Sequence, residues 1–387
     1  MRSLLLILKK PVYFAPAWVF TSINILIGTW VLYIPQIKHK FLLNDAELGF
    51  ALFFNAFGLL LGITLVPFIN KKIGAGFSTK IGITFLCITF NLLMLAPSYW
   101  FFCCSLFIVG ILSGFTDVSV NALVSIIEIR DKENIMSAAH GFFSLGGFFG
   151  AGIGSIFLHY FIEPMIHMFL VTNTVLFSNL FLAKNYEHLM EINENRSKSQ
   201  NASFMKIIRP VLGLSIVAFI VMFNEGAVEH WSNLYLNEVV GVSQSQAGLG
   251  FILFSLSMTV GRFLSDKLSQ KLGAIRTLGY GCILAILGYG LILNINIYSS
   301  VLGFTCLGFG LSPVVPEIFR LAGKNKILSS SVAISIVSGI GFIGFMIGPV
   351  LLGLIANTAS LVYSYVALLT SIIVACGIVI LFLKNEY

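Results

Sequence analysis

The stretch GITLVPFINKKIGAGFSTKIGITFLCITF, residues 62–90, sets a short basic, glycine-rich turn between two apolar runs. Both runs continue outward with few charges, so each reaches the length of about 20 apolar residues that a helix needs to cross a bilayer. The stretch therefore predicts two membrane-spanning helices joined by a short loop at residues 69–77.

The rest of the chain has the same character. Of its 387 residues, 57% are hydrophobic and 10% are charged, whereas a soluble domain carries about 25% charged residues. The apolar runs are continuous and do not alternate with polar residues, which favours membrane helices over barrel strands. The six cysteines lie inside apolar runs without metal-ligand spacing, so we expect neither a metal site nor a cofactor.

Twelve spans are predicted from the apolar runs and the polar breaks between them. They cover residues 14–35, 46–68, 78–96, 99–127, 136–159, 164–184, 208–235, 246–266, 276–294, 298–320, 328–356 and 360–383. A polar segment separates the sixth span from the seventh. The sequence thus predicts an all-α membrane protein with a first domain at 1–184, a cytoplasmic linker at 185–206 and a second domain at 207–387.

The basic residues indicate how the spans are oriented. With the N-terminus in the cytoplasm, every one of the 23 lysines and arginines except Lys38 and Lys40 falls in an inner loop or at an inner helix end. Cytoplasmic loops of membrane proteins carry such an excess of positive charge. We therefore interpret the formal net charge of +7 as a topology signal and not as a nucleic-acid-binding surface. We expect a multi-pass protein of the inner cell membrane with both termini in the cytoplasm.

The two halves contain an internal repeat. A shift of 199 positions aligns five small residues and a lysine, and a shift of 194 aligns four residues of the fifth span with the eleventh. The first shift pairs Gly49 with Gly248, Gly62 with Gly261, Lys72 with Lys271, Gly74 with Gly273, Ala75 with Ala274 and Gly82 with Gly281; the second pairs Gly147, Phe148, Gly150 and Gly154 with Gly341, Phe342, Gly344 and Gly348. Parallel repeats of six helices are typical of transporters whose halves rock around a central site.

Two of the repeated segments carry a family resemblance. GITLVPFINKKIGAG (62–76) and GRFLSDKLSQKLG (261–273) are similar to the basic, glycine-rich loop signature of the major facilitator superfamily. The first copy departs from that signature because Lys71 and Lys72 stand where an acidic and a basic residue are typical, whereas the second copy keeps Asp266. Over its whole length the chain resembles a transporter of this superfamily. The resemblance implies the major facilitator fold, with twelve transmembrane helices in two pseudo-symmetric six-helix bundles.

A narrower resemblance is to the rhizopine-permease-like and fucose-permease-like branch. The residues that carry it lie in four of the predicted spans: Asn24 with Gly28, Trp30 and Ile34-Pro35, then DVSVNA (117–122), HGFFSLGGFFGA (140–151) and NEGAVEHWSNLYL (224–236). This resemblance implies transport of a solute by alternating access, but it does not name the substrate.

Four acidic residues fall within or near the end of a span and away from the charged loops, namely Asp117, Glu225, Glu229 and Glu317. Such groups cost about 2.5–3.5 kcal/mol at the centre of a membrane helix, so they usually face a cavity or a partner. Asp117 lies four residues before Asn121 and therefore on the same helix face. This carboxylate and amide can bind polar substrate groups or a proton. The alternative is a structural hydrogen bond to a neighbouring helix.

Glu225 and Glu229 repeat this spacing in the seventh span. Two close carboxylates repel each other, so one of the pair is expected to hold a proton, which suits proton coupling. The alternative for Glu229 is a solvated position beside His230 at the outer surface. Asp117, Glu225 and Glu229 are the predicted proton-coupling residues.

Aromatic and amide side chains complete the predicted substrate site. Trp30 and Trp231 take comparable outer positions in the first helix of each half, and aromatic faces pack against the apolar side of sugar-like rings. Tryptophan is equally typical of the aromatic belt at a membrane surface. The predicted substrate-binding residues are Asn24, Trp30, Asn55, Asp117, Asn121, Glu225 and Trp231.

Four further residues are predicted to control access from the inner side. His140 lies near the inner end of the fifth span and Glu317 near the inner end of the tenth, so the two can pair when the cytoplasmic side is shut. Glu317 can equally neutralise Arg320 or Arg262. The predicted gating residues are His140, Arg262, Asp266 and Glu317.

The sequence favours a secondary active transporter that works by alternating access. We expect proton-coupled symport of a small polar solute, sugar-like or polyol-like, because ionisable groups lie inside the spans and neither a nucleotide site nor an enzyme motif is visible. The alternative is a drug or metabolite exporter driven by proton antiport. The expected partners are the solute, protons and the lipid bilayer, without nucleic acid, and we expect a monomer.

Overall fold

The computed structural model describes residues 2–31, 33–43, 45–159, 163–190, 208–242 and 249–383. Within these residues the chain folds into helices joined by short turns. Eleven of the helical segments there are long and apolar enough to cross a membrane. The predicted fifth span is occupied by a further helix, Met136–His159. The predicted all-α membrane architecture is confirmed.

The described part of the first half contains two short helices and six long ones. The short helices are α1 (Arg2–Lys9) and α3 (Ile34–Lys40), and the long helices are α2 (Pro11–Val31), α4 (Asp45–Ile73), α5 (Ala75–Leu95), α6 (Tyr99–Asp131), α7 (Met136–His159) and α8 (Pro164–Ala183). The long helices coincide with the predicted spans to within about five residues, and the largest difference is at the end of α4, which reaches Ile73 and not residue 68. The sequence did not predict α1 or α3.

In the second half, a single 3₁₀ turn, Arg209–Val211, precedes the first long helix. Its helices are α9 (Leu212–Leu234), α10 (Leu249–Leu272), α11 (Ala274–Ile292), α12 (Ile297–Leu311), α13 (Val314–Gly323), α14 (Ser330–Thr358) and α15 (Leu361–Ile378). Wider π turns continue α9 over Tyr235–Val239 and α15 over Val379–Leu383.

The tenth predicted span, 298–320, is not one continuous helix but consists of α12 and α13. The break falls at Ser312 and Pro313. Proline has no amide hydrogen and its ring crowds the preceding turn, so it interrupts the helical hydrogen bonds. The break sets off α13 as a short helix that is buried along its whole length.

The helices pair in the same way in the two halves. In the first half α2 packs on α7 and α4 on α6; in the second half α9 packs on α14 and α10 on α12. A Cβ atom added to Gly150 would overlap the carbonyl oxygen of Ile25, and one added to Gly344 would overlap that of Phe219. Both residues of the second pair follow those of the first by 194 positions. The sequence repeat is therefore also a repeat of helix contacts.

The turns of the two loop signatures have the same backbone conformation. Gly74, which precedes α5, has φ of 85° and ψ of 154°. Gly273, which precedes α11, has φ of 85° and ψ of 157°. Only glycine adopts a positive φ with such a ψ without strain. The glycines that align in the repeat are thus required by one particular turn, used twice.

Lys40 is one of the two basic residues that depart from the predicted charge distribution. Its Nζ donates to the carbonyl oxygens of Met94, at 3.3 Å, and Ala96, at 2.8 Å. These carbonyls are among the groups left unpaired where α5 ends, and a cation is favourable there. The position of Lys40 is therefore explained by helix capping.

The chain that follows α8 folds back onto the start of α5. The amide of Gly76 donates to the carbonyl oxygen of Leu189 at 3.0 Å, and Lys80 and Glu187 form an ion pair of 2.6 Å. A Cβ at Gly76 would overlap the carbonyl oxygen of Tyr186. The rest of the predicted linker, from residue 191 onward, lies outside the described residues. The domain limits 1–184 and 207–387 remain predictions.

The two halves contact each other through α7 against α10 and α4 against α14, and α13 also contacts α6 and α7. Successive spans run in opposite directions, so the start of α7 and the ends of α6, α10 and α13 all lie at one end of the molecule. Side chains from both halves meet there: Phe142 on α7 and Phe263 on α10 pack edge to face, with ring centroids 5.8 Å apart. We call this end the closed end.

Candidate functional site

A buried arginine lies at the centre of the closed end. Arg320 on α13 bonds to Glu317 of its own helix, one turn earlier. It also donates to Glu128 on α6, with hydrogen bonds of 2.9 and 3.1 Å, and to Asp266 on α10, at 2.5 Å. All four side chains are almost completely buried. One arginine thus connects carboxylates from both halves.

Two of these carboxylates also cap the start of α7. Glu128 Oε1 accepts from the amides of Ile135, at 2.6 Å, and Met136, at 2.7 Å. Asp266 accepts from the amides of Ser137, at 3.1 Å, and Ala138, at 2.7 Å. The first amides of a helix have no partner within the helix and carry a partial positive charge. The first turn of α7 is therefore held by one carboxylate from each half.

This arrangement compensates charges that would otherwise be costly to bury. Three carboxylates face one guanidinium, and the excess negative charge is directed at the N-terminus of α7. Arg320 Nη1 additionally donates to Ser269 Oγ at 3.2 Å. Buried ion pairs are tolerated when their remaining hydrogen bonds are satisfied, and the removal of one partner is strongly destabilising. The network joins the halves only while they remain in contact at this end.

The contact between α4 and α14 at the same end carries no ion pair among the described residues. Asn70 Nδ2 donates to Ser331 Oγ at 3.0 Å, and Ser119 donates to Asn70 Oδ1 at 3.5 Å. In the repeat, Pro67 stands where Asp266 stands in the second half. The two halves are therefore joined asymmetrically, with carboxylates on one side and an amide with hydroxyl groups on the other.

A second polar layer lies around Arg262 on α10, one helical turn from Asp266. Arg262 Nη1 donates to Ser144 Oγ on α7 at 2.7 Å, and its carbonyl oxygen accepts from Ser137 Oγ at 2.9 Å. Its Nη2 lies 3.9 Å from Oε1 of Glu225 on α9, a loose ion pair in which each side chain is about one-tenth to one-seventh exposed. Arg262 therefore contacts both α7 of the first half and an acidic side chain inside a span. We call the contact between α7 and α10 the seam.

The predicted pair on α6 is linked to α7 through His140. Asn121 Oδ1 and His140 Nε2 are 3.0 Å apart, and Asn121 Nδ2 donates to the carbonyl oxygen of Asp117 at 2.9 Å. The rings of Phe20 and Phe319 lie 4.9 and 6.0 Å from the His140 ring. No hydrogen bond or ion pair to the Asp117 carboxylate occurs within the described ranges, and this residue is only half-buried.

The remaining predicted amides lie at helix contacts. Asn24 Nδ2 on α2 donates to the carbonyl oxygen of Phe143 on α7 at 2.9 Å and contacts Gly147. Asn55 lies on α4 against α6, where its carbonyl oxygen leaves no space for a side chain at Gly110. The buried Oδ1 of Asn55 has no hydrogen-bond partner in the described part of the chain.

Each predicted tryptophan packs against a neighbouring helix. Trp30 is 7% exposed and packs against Phe102, with ring centroids 5.7 Å apart. The Trp231 ring is half-buried and lies over Gly353 of α14. Glu229 and His230 are exposed, which is the alternative that the sequence left open for Glu229.

The predicted gating residues separate into two layers. Asp266 and Glu317 belong to the Arg320 network. Arg262 and His140 belong to the second polar layer. Glu317 bonds to Arg320, the alternative considered from the sequence, and His140 bonds to Asn121.

Sequence reasoning missed Glu128, Asn70 and Ser144. Glu128 precedes Ile129, Arg130 and Asp131 and therefore has the appearance of a loop acid. Its partner Arg320 is 192 residues away, and no local pattern indicates that pairing.

Comparison with known proteins identifies the family. The sequence profile of the Major Facilitator Superfamily matches residues 14–326. The chain belongs to the major facilitator superfamily. Membership makes it a multi-pass membrane transporter and confirms the architecture predicted from the repeat.

Two relatives within the superfamily match most of the chain. An uncharacterised MFS-type transporter of Yersinia pestis is 31% identical over 338 residues, which are 86% of this chain and 86% of the relative. Membrane protein MosC of Rhizobium meliloti is 28% identical over 382 residues, covering 95% of this chain and 90% of the relative.

The fold is also that of solved major facilitator structures. The transporter FucP in the outward conformation matches with a TM-score of 0.75 and 16% identity over 98% of this chain and 99% of FucP. A variant of FucP, the fucose:proton symporter of E. coli, matches with a TM-score of 0.73 and 14% identity over 96% and 98% of the two chains. The sequence and structure matches together confirm the predicted resemblance to the rhizopine-permease-like and fucose-permease-like branch.

Proposed function

We propose that this transporter carries a small polar solute, sugar-like or polyol-like, together with protons by alternating access. The observation that carries the proposal is the presence of two acidic side chains inside the spans, Asp117 in the first half and Glu225 in the second. Neither belongs to the Arg320 network. Ionisable groups at membrane depth are costly unless they serve a pathway or a partner.

Asp117 is suited to bind a proton or a polar solute group. Its carboxylate is not engaged by the described residues, although its neighbour Asn121 is fully buried and bonded to His140. A carboxyl group that exchanges a proton during transport must be free of permanent partners. We assign Asp117 this role.

Glu225 is suited to transmit protonation to the seam between the halves. Its ion pair with Arg262 is loose, at 3.9 Å, and the same guanidinium holds Ser144 of the first half. Protonation of Glu225 removes its attraction for Arg262. The equilibrium between closed and open arrangements then shifts by the difference in this interaction between the two states.

The chemistry of the layer supports a hydroxyl-rich solute. Asn24, Asn121 and His140 supply amide and imidazole groups beside the rings of Phe20 and Phe319. Amides and aromatic faces are the groups that bind the hydroxyls and the apolar face of a sugar. The structural similarity to a fucose:proton symporter supports the same class of solute and the same coupling.

The charge distribution supports the proposed orientation. We place the closed end, both termini and the linker in the cytoplasm and the chain in the inner membrane, because its basic residues cluster on that side. The closed end then faces inward, so the structure corresponds to an outward-facing transporter. We further propose that a single chain is the working unit, since both halves of the site come from one chain.

The test is uptake into proteoliposomes driven by a pH gradient. A thermal-shift screen of sugars, polyols, amino acids and nucleosides selects the solute, and any stabilising compound is then supplied in an acidic medium outside the vesicles. We expect accumulation that collapses with a protonophore. Glu225→Gln and Asp117→Asn are expected to abolish accumulation.

The control is Glu163→Gln, which neutralises an exposed acid before α8 and should leave accumulation unchanged. Unchanged accumulation in both Glu225→Gln and Asp117→Asn would refute the assigned proton sites. Extrusion of the solute against its gradient would instead identify the exporter driven by proton antiport.

A further inference from the structure

The N-terminal helix α1 contacts both halves of the transporter. It packs on α2 and α7 of the first half and on α10 of the second. Ile7 is fully buried and Ser3 is 2% exposed, one helical turn apart on the same face. This face of α1 therefore lies across the seam between α7 and α10, at the closed end.

The opposite face of α1 combines apolar and basic side chains. Leu5 and Leu8 are 53% and 58% exposed, three residues apart on one face, and Lys9 and Lys10 are exposed at the C-terminal end. A single residue, Lys10, separates α1 from the membrane-spanning α2. This places α1 at the boundary between the hydrocarbon core and the headgroups. Leucine beside lysine on one face is the pattern of helices that lie in such an interface.

We propose that α1 is an interfacial strap: it binds anionic phospholipids through Leu5, Leu8, Lys9 and Lys10 and holds α10 against the first half through Ile7. The leaflet on the side of the closed end supplies the lipid, because basic segments next to a membrane are attracted by anionic headgroups. The strap stabilises the closed end, where Asp266 caps α7.

The consequence for transport rests on the proposed alternating access. When α10 moves away from α7, α1 cannot keep its contacts with both. It is covalently joined to α2 and bound to lipid, so it remains with the first half and loses α10. The contact of α1 with α10 thus favours the outward-facing arrangement. The lipid composition of the leaflet at the closed end then shifts the equilibrium between the outward-facing and inward-facing arrangements.

Hydrogen–deuterium exchange of the full chain in lipid nanodiscs tests the lipid part. We expect the amides of residues 2–9 to exchange about fivefold more slowly in discs of phosphatidylcholine with phosphatidylglycerol than in phosphatidylcholine alone. The double variant Lys9→Gln with Lys10→Gln, which alters only exposed side chains, should remove this difference. Equal exchange of residues 2–9 of the unmodified chain in the two disc types would overturn the proposed lipid partner.

The strap itself is tested by Ile7→Gln in the same discs. We expect exchange of residues 136–142, at the start of α7, to accelerate about fivefold as the seam loosens. Leu42→Gln, which changes a leucine that is 84% exposed in a turn, is the matched control. Unaltered exchange of residues 136–142 in Ile7→Gln would overturn the strap. Neither measurement requires solute or a pH gradient, so a failure of the strap is distinguishable from a failure of proton-coupled transport.

Discussion

Arg320 on α13 and Glu128 on α6 form two hydrogen bonds, of 2.9 and 3.1 Å, that join the second half of the transporter to the first. Each side chain is at most 2% exposed. Water does not screen a pair buried to this extent. Removing one partner therefore leaves an uncompensated buried charge and strongly destabilises the chain. Arg320 therefore links the stability of the chain to the contact between its halves.

The first prediction concerns the removal of this arginine. Arg320→Met leaves three buried carboxylates without a counter-charge and is expected to lower the free energy of unfolding by about 3–5 kcal/mol. Arg320→Lys should have a free energy of unfolding between those of the unmodified chain and of Arg320→Met. An ammonium group keeps the positive charge but lacks the planar fork with which a guanidinium bonds several carboxylates. Thermal unfolding in detergent micelles measures the loss. Lys267→Met, at an exposed position of α10, serves as the control, and an equal shift in both would contradict the assigned importance of Arg320.

The second prediction concerns the asymmetry of the seam. Asp266→Asn removes a charged cap from α7 and should make its first amides exchange about five- to thirtyfold faster, which corresponds to about 1–2 kcal/mol. Asn70→Ala removes only neutral hydrogen bonds to Ser331 and Ser119 and should have a smaller effect on the start of α14. Hydrogen exchange of residues 136–140 and 330–334 measures both. If Asn70→Ala accelerated exchange at 330–334 more than Asp266→Asn accelerates it at 136–140, the carboxylate contacts would not be the stronger of the two connections between the halves.

The third prediction concerns the segment that follows α8. The residue that aligns with Gly76 in the repeat is Ile275. Gly76→Ile should displace the chain at Tyr186 and cost about 1–3 kcal/mol through overpacking. Limited proteolysis between residues 184 and 190 should then become faster. Ile275→Val is the matched control, and identical proteolysis patterns would argue against this docking.

The fourth prediction separates two buried tyrosines of the second half. Tyr289 donates to Asn224 Oδ1 at 2.6 Å, whereas the hydroxyl of Tyr365 has no partner among the described residues. Tyr289→Phe should destabilise the chain by about 0.5–2 kcal/mol, because a buried acceptor loses its donor. Tyr365→Phe should be neutral or stabilising, since it removes an unsatisfied hydroxyl. Thermal unfolding compares them, and a greater loss in Tyr365→Phe would reverse the assignment.

Much of the architecture could be predicted from the sequence because it follows from hydropathy and local geometry. Apolar runs locate the spans, since hydrocarbon requires helical hydrogen bonds whatever the fold. The aligned Gly74 and Gly273 have the same positive φ. Because only glycine readily adopts this conformation, both halves keep glycine at this position, and the repeat can be recognised in the sequence.

The site was less predictable because its contacts depend on how distant helices approach each other. Asp117 and Asn121 could be placed on one helix face from their spacing, but the bond from Asn121 to His140 could not. Pro313 lies inside the tenth predicted span, but a proline by itself does not show whether the helix bends or divides there. Glu128 falls one residue beyond the fourth predicted span, and nothing local distinguishes a solvated acid from one that meets Arg320.

The amides of Ser137 and Ala138 have an acceptor only while Asp266 of the opposite half is in place. When the halves part, water molecules must reach these two groups in the same step, because a bare amide in a dry interior is costly. Hydration of the seam is thus coupled to its opening. Concentrated osmolytes, which lower the activity of water, are expected to hold the transporter shut on that side.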